Sequence, residues 1–128
     1  MTGENDLSVL LKSMSPRVRP GEFVFVSLPG EPPTDVTVQA LVREVEGLTV
    51  VLERADADRL GLSYDFVAGW ITLEVHSALE AVGLTAAFSA ALSEAGVSCN
   101  VLAGYFHDHI LVDIKDVDTA LSALARIG

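Results

Sequence analysis

The 128-residue chain has a formal net charge of −10, 50% hydrophobic residues and one cysteine. This length suits one domain or two small halves that share a core, and so apolar a composition is not typical of a disordered chain. Its eight lysines and arginines are too few for a protein that binds duplex DNA or an anionic membrane, and a lone cysteine excludes an internal disulfide. No apolar run reaches the roughly 18–20 residues that span a bilayer, and the polar N-terminus lacks a signal-peptide pattern. We therefore expect a cytoplasmic protein with no nucleic-acid or membrane partner.

The first half of the sequence predicts a helix, three strands and a second, short helix. Apolar residues at helical spacing follow Asp6, and the prolines after Met14 are expected to end that helix. Runs rich in aromatic and β-branched residues predict strands over 22–28, 36–42 and 48–52. A short helix over 55–60 is expected to stop at Gly61.

The second half predicts the element order β, α, β, β, α. The three strands are expected over 70–75, 97–106 and 110–114, with a turn formed by 107–109. The first helix, over 84–95, is expected to end at Gly96, and Asp116 is expected to cap a final helix that runs to Ile127. Antiparallel neighbours can be joined by a tight turn, whereas parallel strands need a crossover of about a dozen residues.

This order of elements predicts an α+β fold of ferredoxin-like type, with antiparallel sheets and helices packed on one face. The first half has the elements of an incomplete, rearranged copy of the second. We therefore expect two halves, 1–65 and 66–128.

The segment 76–86 lies between a predicted strand and a helix start, where free N–H groups and the helix dipole favour an anion. Ser77 and Thr85 add hydroxyl groups, and Gly83 lets the backbone approach a ligand closely. These features suit the α-carboxylate of an amino acid, whereas a phosphate loop would need more glycines and a lysine. The alternative is structural: Ser77 and Thr85 cap the helix and Gly83 shapes a turn.

A second polar segment, His107, Asp108 and His109, contains residue types that bind metals. In a strand the two histidines would face one side and the aspartate the other, and a third ligand would have to come from elsewhere. We therefore predict no metal. Two interpretations remain open: a hairpin turn in which the aspartate bonds its own backbone, or a site that orients the ammonium or another polar end of a ligand.

The remaining candidates are better explained by structure than by chemistry. Cys99 could act as a nucleophile only beside a histidine, and a buried thiol that packs as a small apolar residue is the stronger prediction. Asn100 either binds a ligand or faces solvent. The acidic residues of 44–58 are expected on a solvated face, and Trp70 and Phe88 in the core. Because no catalytic motif is present, we expect no enzyme activity, no cofactor and no metal.

Two long stretches, WITLEVHSALEAVGLTAAFSAAL and GVSCNVLAGYFHDHILV, resemble small bacterial proteins built from tandem ACT-like halves. Three stretches of the first half, DLSVLLKSMSPRV, EFVFVSL and REVEGLTVVL, resemble the same family more loosely, so the resemblance covers nearly the whole chain. It implies βαββαβ modules that bind amino acids at domain interfaces and regulate enzymes or transporters. Similar tandem proteins include a cytosolic arginine sensor of animals.

The resemblance places the ligand near the first strand-to-helix loop of the second half. The ligand-binding residues it implies there are Ser77, Ala78, Val82, Gly83, Leu84 and Thr85. Asn100, His107, Asp108 and His109 belong to the second matching stretch and are included in the expected site. The usual Asp-x-x-Gly pattern of the loop is absent, because Ser77 and Glu80 precede Gly83, and we expect Asp108 to hold the ammonium.

The resemblance therefore implies a non-catalytic, amino-acid-binding regulatory protein that forms a homodimer. The alternative is a homo-oligomeric interaction module that binds no small molecule, since sheets with exposed edges pair readily with other chains.

Overall fold

The computed structural model describes residues 14–74 and 83–127, and packing divides the chain into two compact units. The central unit is Pro20–Ala68, and the terminal unit combines Met1–Arg19 with Gly69–Gly128. The strands are β1 (Pro16–Leu28), β2 (Ala40–Arg43), β3 (Leu48–Glu53), β4 (Val67–Leu73), β5 (Asn100–Ala103) and β6 (Asp108–Asp113). The α-helices are α1 (Arg54–Arg59), α2 (Leu84–Glu94) and α3 (Val117–Ala125), and a 3₁₀ turn, Ile114–Asp116, precedes α3.

The central unit contains antiparallel strands in the order β2-β3-β1. The pairing of β1 with β3 runs from Phe23 opposite Glu53 to Leu28 opposite Leu48. Alternate apolar side chains of these strands face one side of the sheet, as the period of two in a strand requires, and α1 contributes Ala57 to the same cluster. The buried residues of this core are Val24, Val26, Leu48, Val50, Leu52 and Ala57.

The terminal unit contains strands in the order β1-β4-β6-β5, of which β5 and β6 pair antiparallel. Apolar residues four apart in α2 and two apart in β4 and β6 meet in one cluster, so the helices cover a single face of the sheet. Its principal members are Ile71, Leu73, Leu84, Phe88, Leu92, Ile110, Val112, Ala120, Ala123 and Leu124. The expected α+β fold, with antiparallel strands and helices on one face, is confirmed.

The start of β1 corrects one prediction. The strand expected over 22–28 begins earlier, at Pro16, and runs through both Pro16 and Pro20. An extended strand accommodates the fixed φ of proline wherever its missing N–H is not needed for pairing. The predicted helix from 7 onward lies outside the described residues, except that Met14 packs against the core of the terminal unit.

The predicted strand over 36–42 is also shorter than expected. Only Ala40–Arg43 forms β2, while Val36 and Val38 pack against the central core from the loop before it. The apolar pattern therefore predicted which of these residues pack against the core, but not which of them pair in a strand. By contrast, β3, α1 and α2 lie within one or two residues of their predicted bounds.

The hairpin between β5 and β6 corrects a second prediction. The expected turn at 107–109 lies earlier, because the Gly104 N–H donates to the His107 carbonyl oxygen over 2.9 Å. Asp108 and His109 are therefore strand residues of β6. Asp116 precedes α3 as expected, but its side chain makes no capping bond. Within 14–74 and 83–127, no helix has the length and apolar character needed to cross a membrane.

Candidate functional site

The end of β4 lies beside the beginning of β6. Thr72, the second-last residue of β4, places its hydroxyl oxygen 2.9 Å from Nδ1 of His109, the second residue of β6. The last residues of β4 and the turn that enters β6 therefore lie at the same end of the sheet of the terminal unit.

The start of α2 lies at this end as well. Because β5 pairs with β6 from Asn100 opposite Leu111 to Ala103 opposite Asp108, β5 begins at the far end of the sheet. The C-terminal end of α2 leads into β5, since the Val97 N–H donates to the Leu92 carbonyl over 2.9 Å. The opposite end of α2 is consequently at the hairpin end of the sheet, which we call the turn end.

The structure describes three of the six ligand-binding residues expected in the loop before α2: Gly83, Leu84 and Thr85. Ser77, Ala78 and Val82 lie outside the described residues. Gly83 is the N-cap of α2 with a φ of 95°, a left-handed conformation that favours glycine, and it has no side chain to cap the helix.

The first residues of α2 differ in what they can offer a ligand. Leu84 is 2% exposed and packs in the core, so only its backbone is available. Thr85 is exposed in the first turn. It does not cap the helix, because capping belongs to the residue before the first helical one, which is Gly83.

Asp108 is a half-buried carboxylate on the helix-covered face. Alternation in β6 places it on the same face as Ile110 and Val112, which contact α2 residues in the core. Burial raises the pKa of Asp108, and the opposite effect of His109 is smaller. Among the described residues, no lysine or arginine forms an ion pair with it.

His109 faces the other side of the sheet and is held by two residues of β4. The indole N–H of Trp70 donates to its Nδ1 over 3.2 Å, and the Thr72 hydroxyl contacts the same nitrogen. The guanidinium of Arg19 lies 4.3 Å from the centre of the Trp70 ring. Trp70 is 3% exposed, which confirms that it is buried.

The pairing of Trp70 and Thr72 with His109 was not predicted from the sequence. The available signal was their spacing of two residues in a predicted strand, which places both side chains on one face. A sequence alone does not reveal that β6 is the strand next to β4 in the sheet.

His107 and Asn100 have separate surroundings. Nδ1 of His107 is buried and, within the described part of the chain, has no hydrogen-bond partner. The Asn100 side chain is exposed at the start of β5 and donates to the Leu111 carbonyl over 3.3 Å. Asn100 thus lies at the opposite end of β5 from the turn, and the structure does not bring it to the turn end.

Cys99 does not have the properties of an activated nucleophile. It packs partly against the core, and burial raises the pKa of its thiol, whereas activation requires a lowered one. In the described ranges, no group of three or more histidine, cysteine, aspartate or glutamate side chains is arranged to hold a metal ion.

The acidic residues of the central unit are exposed or paired with arginines. Arg54 donates to Glu22 over 2.9 Å and to the Tyr64 hydroxyl over 2.9 Å, while Tyr64 donates to Asp58 over 2.6 Å. This network fits the solvated face expected from the sequence and contains no isolated carboxylate pair.

Sequence comparison identifies two matching segments. Residues 2–69 and 65–126 each match a family model described as ACT domain. A search of curated protein sequences gave no match. The boundary expected at residue 65 stays a prediction, since neither the matched ranges nor the two compact units test it.

Solved structures include a similar chain from Vibrio cholerae, described as a protein of unknown function and possible transport protein. It is 47% identical, with a TM-score of 0.84 and 94% of each chain covered. A protein from Agrobacterium tumefaciens is 19% identical, with a TM-score of 0.71 and coverage of 88% of this chain and 87% of the other. The ligand-free regulatory subunit of aspartate kinase from Thermus thermophilus is 8% identical, with a TM-score of 0.64 and coverage of 87% and 95%. The last two share the fold.

Proposed function

This chain belongs to the ACT-domain family, and we propose that it is a non-catalytic regulatory protein that binds a free amino acid at the turn end of its terminal unit. The ligand would lie between the start of α2 and the hairpin that carries Asp108. Its binding would favour one arrangement of the protein through a difference in affinity between two states.

The observation that carries this proposal is the environment of Asp108. Its carboxylate is half-buried at a position where burial disfavours its charge, and among the described residues no lysine or arginine forms an ion pair with it. An ionisable side chain kept where its charge is disfavoured is typical of a functional site. An ammonium group beside Asp108 would offset that penalty, because a nearby positive charge favours the ionised carboxylate.

The start of α2 provides a complementary group. N–H groups of a first helical turn and the positive end of the helix dipole attract a carboxylate. Gly83 caps α2 without a side-chain oxygen of its own, and Thr85 adds an exposed hydroxyl in the same turn. A zwitterion with its ammonium near Asp108 and its carboxylate near α2 would satisfy both groups.

The structural neighbours support a regulatory role. The aspartate kinase subunit from Thermus thermophilus is described as regulatory, and the Vibrio cholerae protein is described as a possible transport protein. We propose that this chain likewise acts on an enzyme or transporter by binding an effector and is not itself a catalyst.

Thermal shift assays with the twenty common amino acids, each at 5 mM, test the proposal. A ligand present at 100 times its Kd stabilises the folded state by roughly 2.7 kcal/mol, which raises the Tm of a chain this size by roughly 10 °C. For any amino acid that binds, the N-acetyl derivative and the carboxamide test the ammonium and carboxylate contacts separately.

Variants then locate the site. Asp108→Asn should abolish the shift, and Gly83→Val should do the same because valine disfavours a positive φ. Asp118→Asn, which alters an exposed carboxylate of α3, is the matched control and should preserve the shift. A screen in which no amino acid raises the Tm, or an Asp108→Asn variant that binds normally, would disprove the proposed site.

A second candidate function, homodimeric interaction, is favoured by the surface around β5. This strand is an edge of the sheet of the terminal unit. Val101 of β5 is 36% exposed, and Tyr105 and Phe106 of the following turn are 74% and 63% exposed. An apolar edge without lysine or proline is the kind of strand that pairs with another chain.

Light scattering after gel filtration tests the homodimer. The expected mass is twice 13.6 kDa, and Val101→Lys should yield monomers because a lysine at an edge opposes strand pairing. Thr119→Lys, on the exposed face of α3, should leave the mass unchanged. A wild-type monomer at 100 µM would exclude the interaction module.

A further inference from the structure

Two polar groups of β4 contact one nitrogen of His109. The Trp70 indole nitrogen lies 3.2 Å and the Thr72 hydroxyl oxygen 2.9 Å from its Nδ1. An indole N–H can only donate, so Nδ1 must be the unprotonated, accepting nitrogen and the neutral ring carries its proton on Nε2. The rings of Trp70 and His109 also contact edge to face, with centroids 5.5 Å apart.

Protonation changes what His109 can bind. In the imidazolium both ring nitrogens are donors, so the Nδ1 proton would oppose the Trp70 N–H. The Thr72 hydroxyl can reverse its role and accept, but the indole cannot. The charged ring can therefore keep Thr72 but must separate from Trp70.

We propose that His109 is a proton-operated latch, in which the neutral ring fastens the start of β6 to Trp70 of β4 and the protonated ring releases it. The latch lies on the face of the sheet opposite Asp108. It is independent of the proposed amino-acid site, although the same hairpin carries both.

The charged groups around His109 favour the neutral ring at pH 7. Burial lowers the pKa of His109 below its ordinary value of 6.5, and the positive charges of His107 and of Arg19 on β1 lower it further. Asp108 acts in the opposite direction. Neither β4 nor β5 adds a titratable group at this point, since His109 faces Trp70 and Thr72 of β4 and lies opposite Leu102 of β5.

The close packing of the turn makes the hairpin respond to the position of the ring. A Cβ at Gly104 would lie 3.0 Å from Nε2 of His109 and 2.8 Å from the His107 carbonyl oxygen. The imidazole thus fills the space directly beside the Gly104 backbone. Release of the ring from Trp70 would therefore shift the turn that carries the exposed Tyr105 and Phe106.

The single tryptophan makes the latch measurable. Because the chain has one tryptophan, its ¹H–¹⁵N spectrum contains one indole N–H signal. Between pH 8 and pH 4.5 we expect this signal to move along a single-site titration curve with a midpoint below 6.5. The His109 ring signals should titrate with the same midpoint.

Three variants separate the latch from general effects of acid. His109→Gln supplies an amide oxygen that accepts from Trp70 but does not titrate, so the indole signal should stay fixed. His107→Gln is the matched control and should keep the titration of the indole signal, with its midpoint raised because one positive charge near His109 is removed. Thr72→Val should lower the midpoint, because it removes the hydroxyl oxygen that can accept from a protonated Nδ1.

The pH titration of the wild-type indole signal tests the proposed latch even if a variant fails to fold. An indole signal that stays in place down to pH 4.5 while the protein remains folded would overturn the proposal. So would an identical titration in the His109→Gln variant.

Discussion

Replacing Gly69 with alanine tests how closely β4 packs against the start of α3. Gly69 does not have a positive φ, so an alanine there introduces no backbone strain. Its Cβ would overlap Cγ2 of Val117 and lie 3.5 Å from Cδ1 of Ile114. The substitution therefore changes side-chain packing and little else.

Overpacking of this kind lowers the free energy of unfolding by roughly 1–3 kcal/mol. The loss of glycine flexibility in the unfolded chain offsets roughly 0.4–1 kcal/mol of that, so the net loss for Gly69→Ala lies between roughly 0 and 2.6 kcal/mol, with a central value of about 1 kcal/mol. Removing the obstructing methyl groups should restore space. In a Val117→Ala background, which itself should cost about 1 kcal/mol, the alanine at Gly69 should be neutral or stabilising.

Urea unfolding of the two single variants and the double variant, followed by the fluorescence of Trp70, measures this coupling. Gly30→Ala is the control, because a Cβ there meets no atom within 4 Å. We expect a coupling free energy of at least about 1 kcal/mol between positions 69 and 117. Effects that add to within about 0.5 kcal/mol would refute the steric explanation.

Three further predictions concern the terminal unit. Phe88→Ala should lower the free energy of unfolding by about 3–5 kcal/mol, because the ring is 0% exposed; a loss under 1 kcal/mol in urea unfolding would contradict its burial. Cys99 should react with a thiol reagent at pH 8 more slowly than free cysteine, since burial raises its pKa. Asp108→Asn should raise the Tm at pH 7, because the raised pKa of Asp108 means that folding disfavours its charge. That gain should disappear below pH 3.8, the ordinary pKa, where the carboxyl is protonated in both states, and calorimetry at both pH values would detect a contrary trend.

Local patterns in the sequence predicted the elements that depend on local physics. The apolar spacing of α2 and the glycine at position 96, with a φ of 77°, were sufficient to predict the helix and its end. The course of β1 through Pro16 and Pro20 could not be predicted in this way. Whether a strand tolerates proline depends on which backbone groups its neighbours need, and those neighbours are distant in sequence.

The candidate site could be predicted only in part, because the surroundings of its residues again depend on strands that are distant in sequence. Residue types alone identified Asp108 and His109 as candidates, but the environment of each depends on the register of β6. A shift of one residue in a strand moves every side chain to the other face. The contact of His109 with Trp70, 39 positions earlier in the chain, follows from strand order, which local patterns do not contain.

Asp108 and His109 are adjacent in sequence, yet strand alternation gives them different neighbours. Asp108 lies on the face covered by α2, and His109 contacts Trp70 on the opposite face. In both residues burial is the main cause of the pKa shift, and it disfavours the charged form. A strand selected for stability alone would not keep two such groups in succession. If each serves a separate role, Asp108→Asn should remove amino-acid binding but keep the indole titration, and His109→Gln should do the reverse. Loss of both properties in either variant would indicate one coupled site, because coupled residues show effects that do not separate.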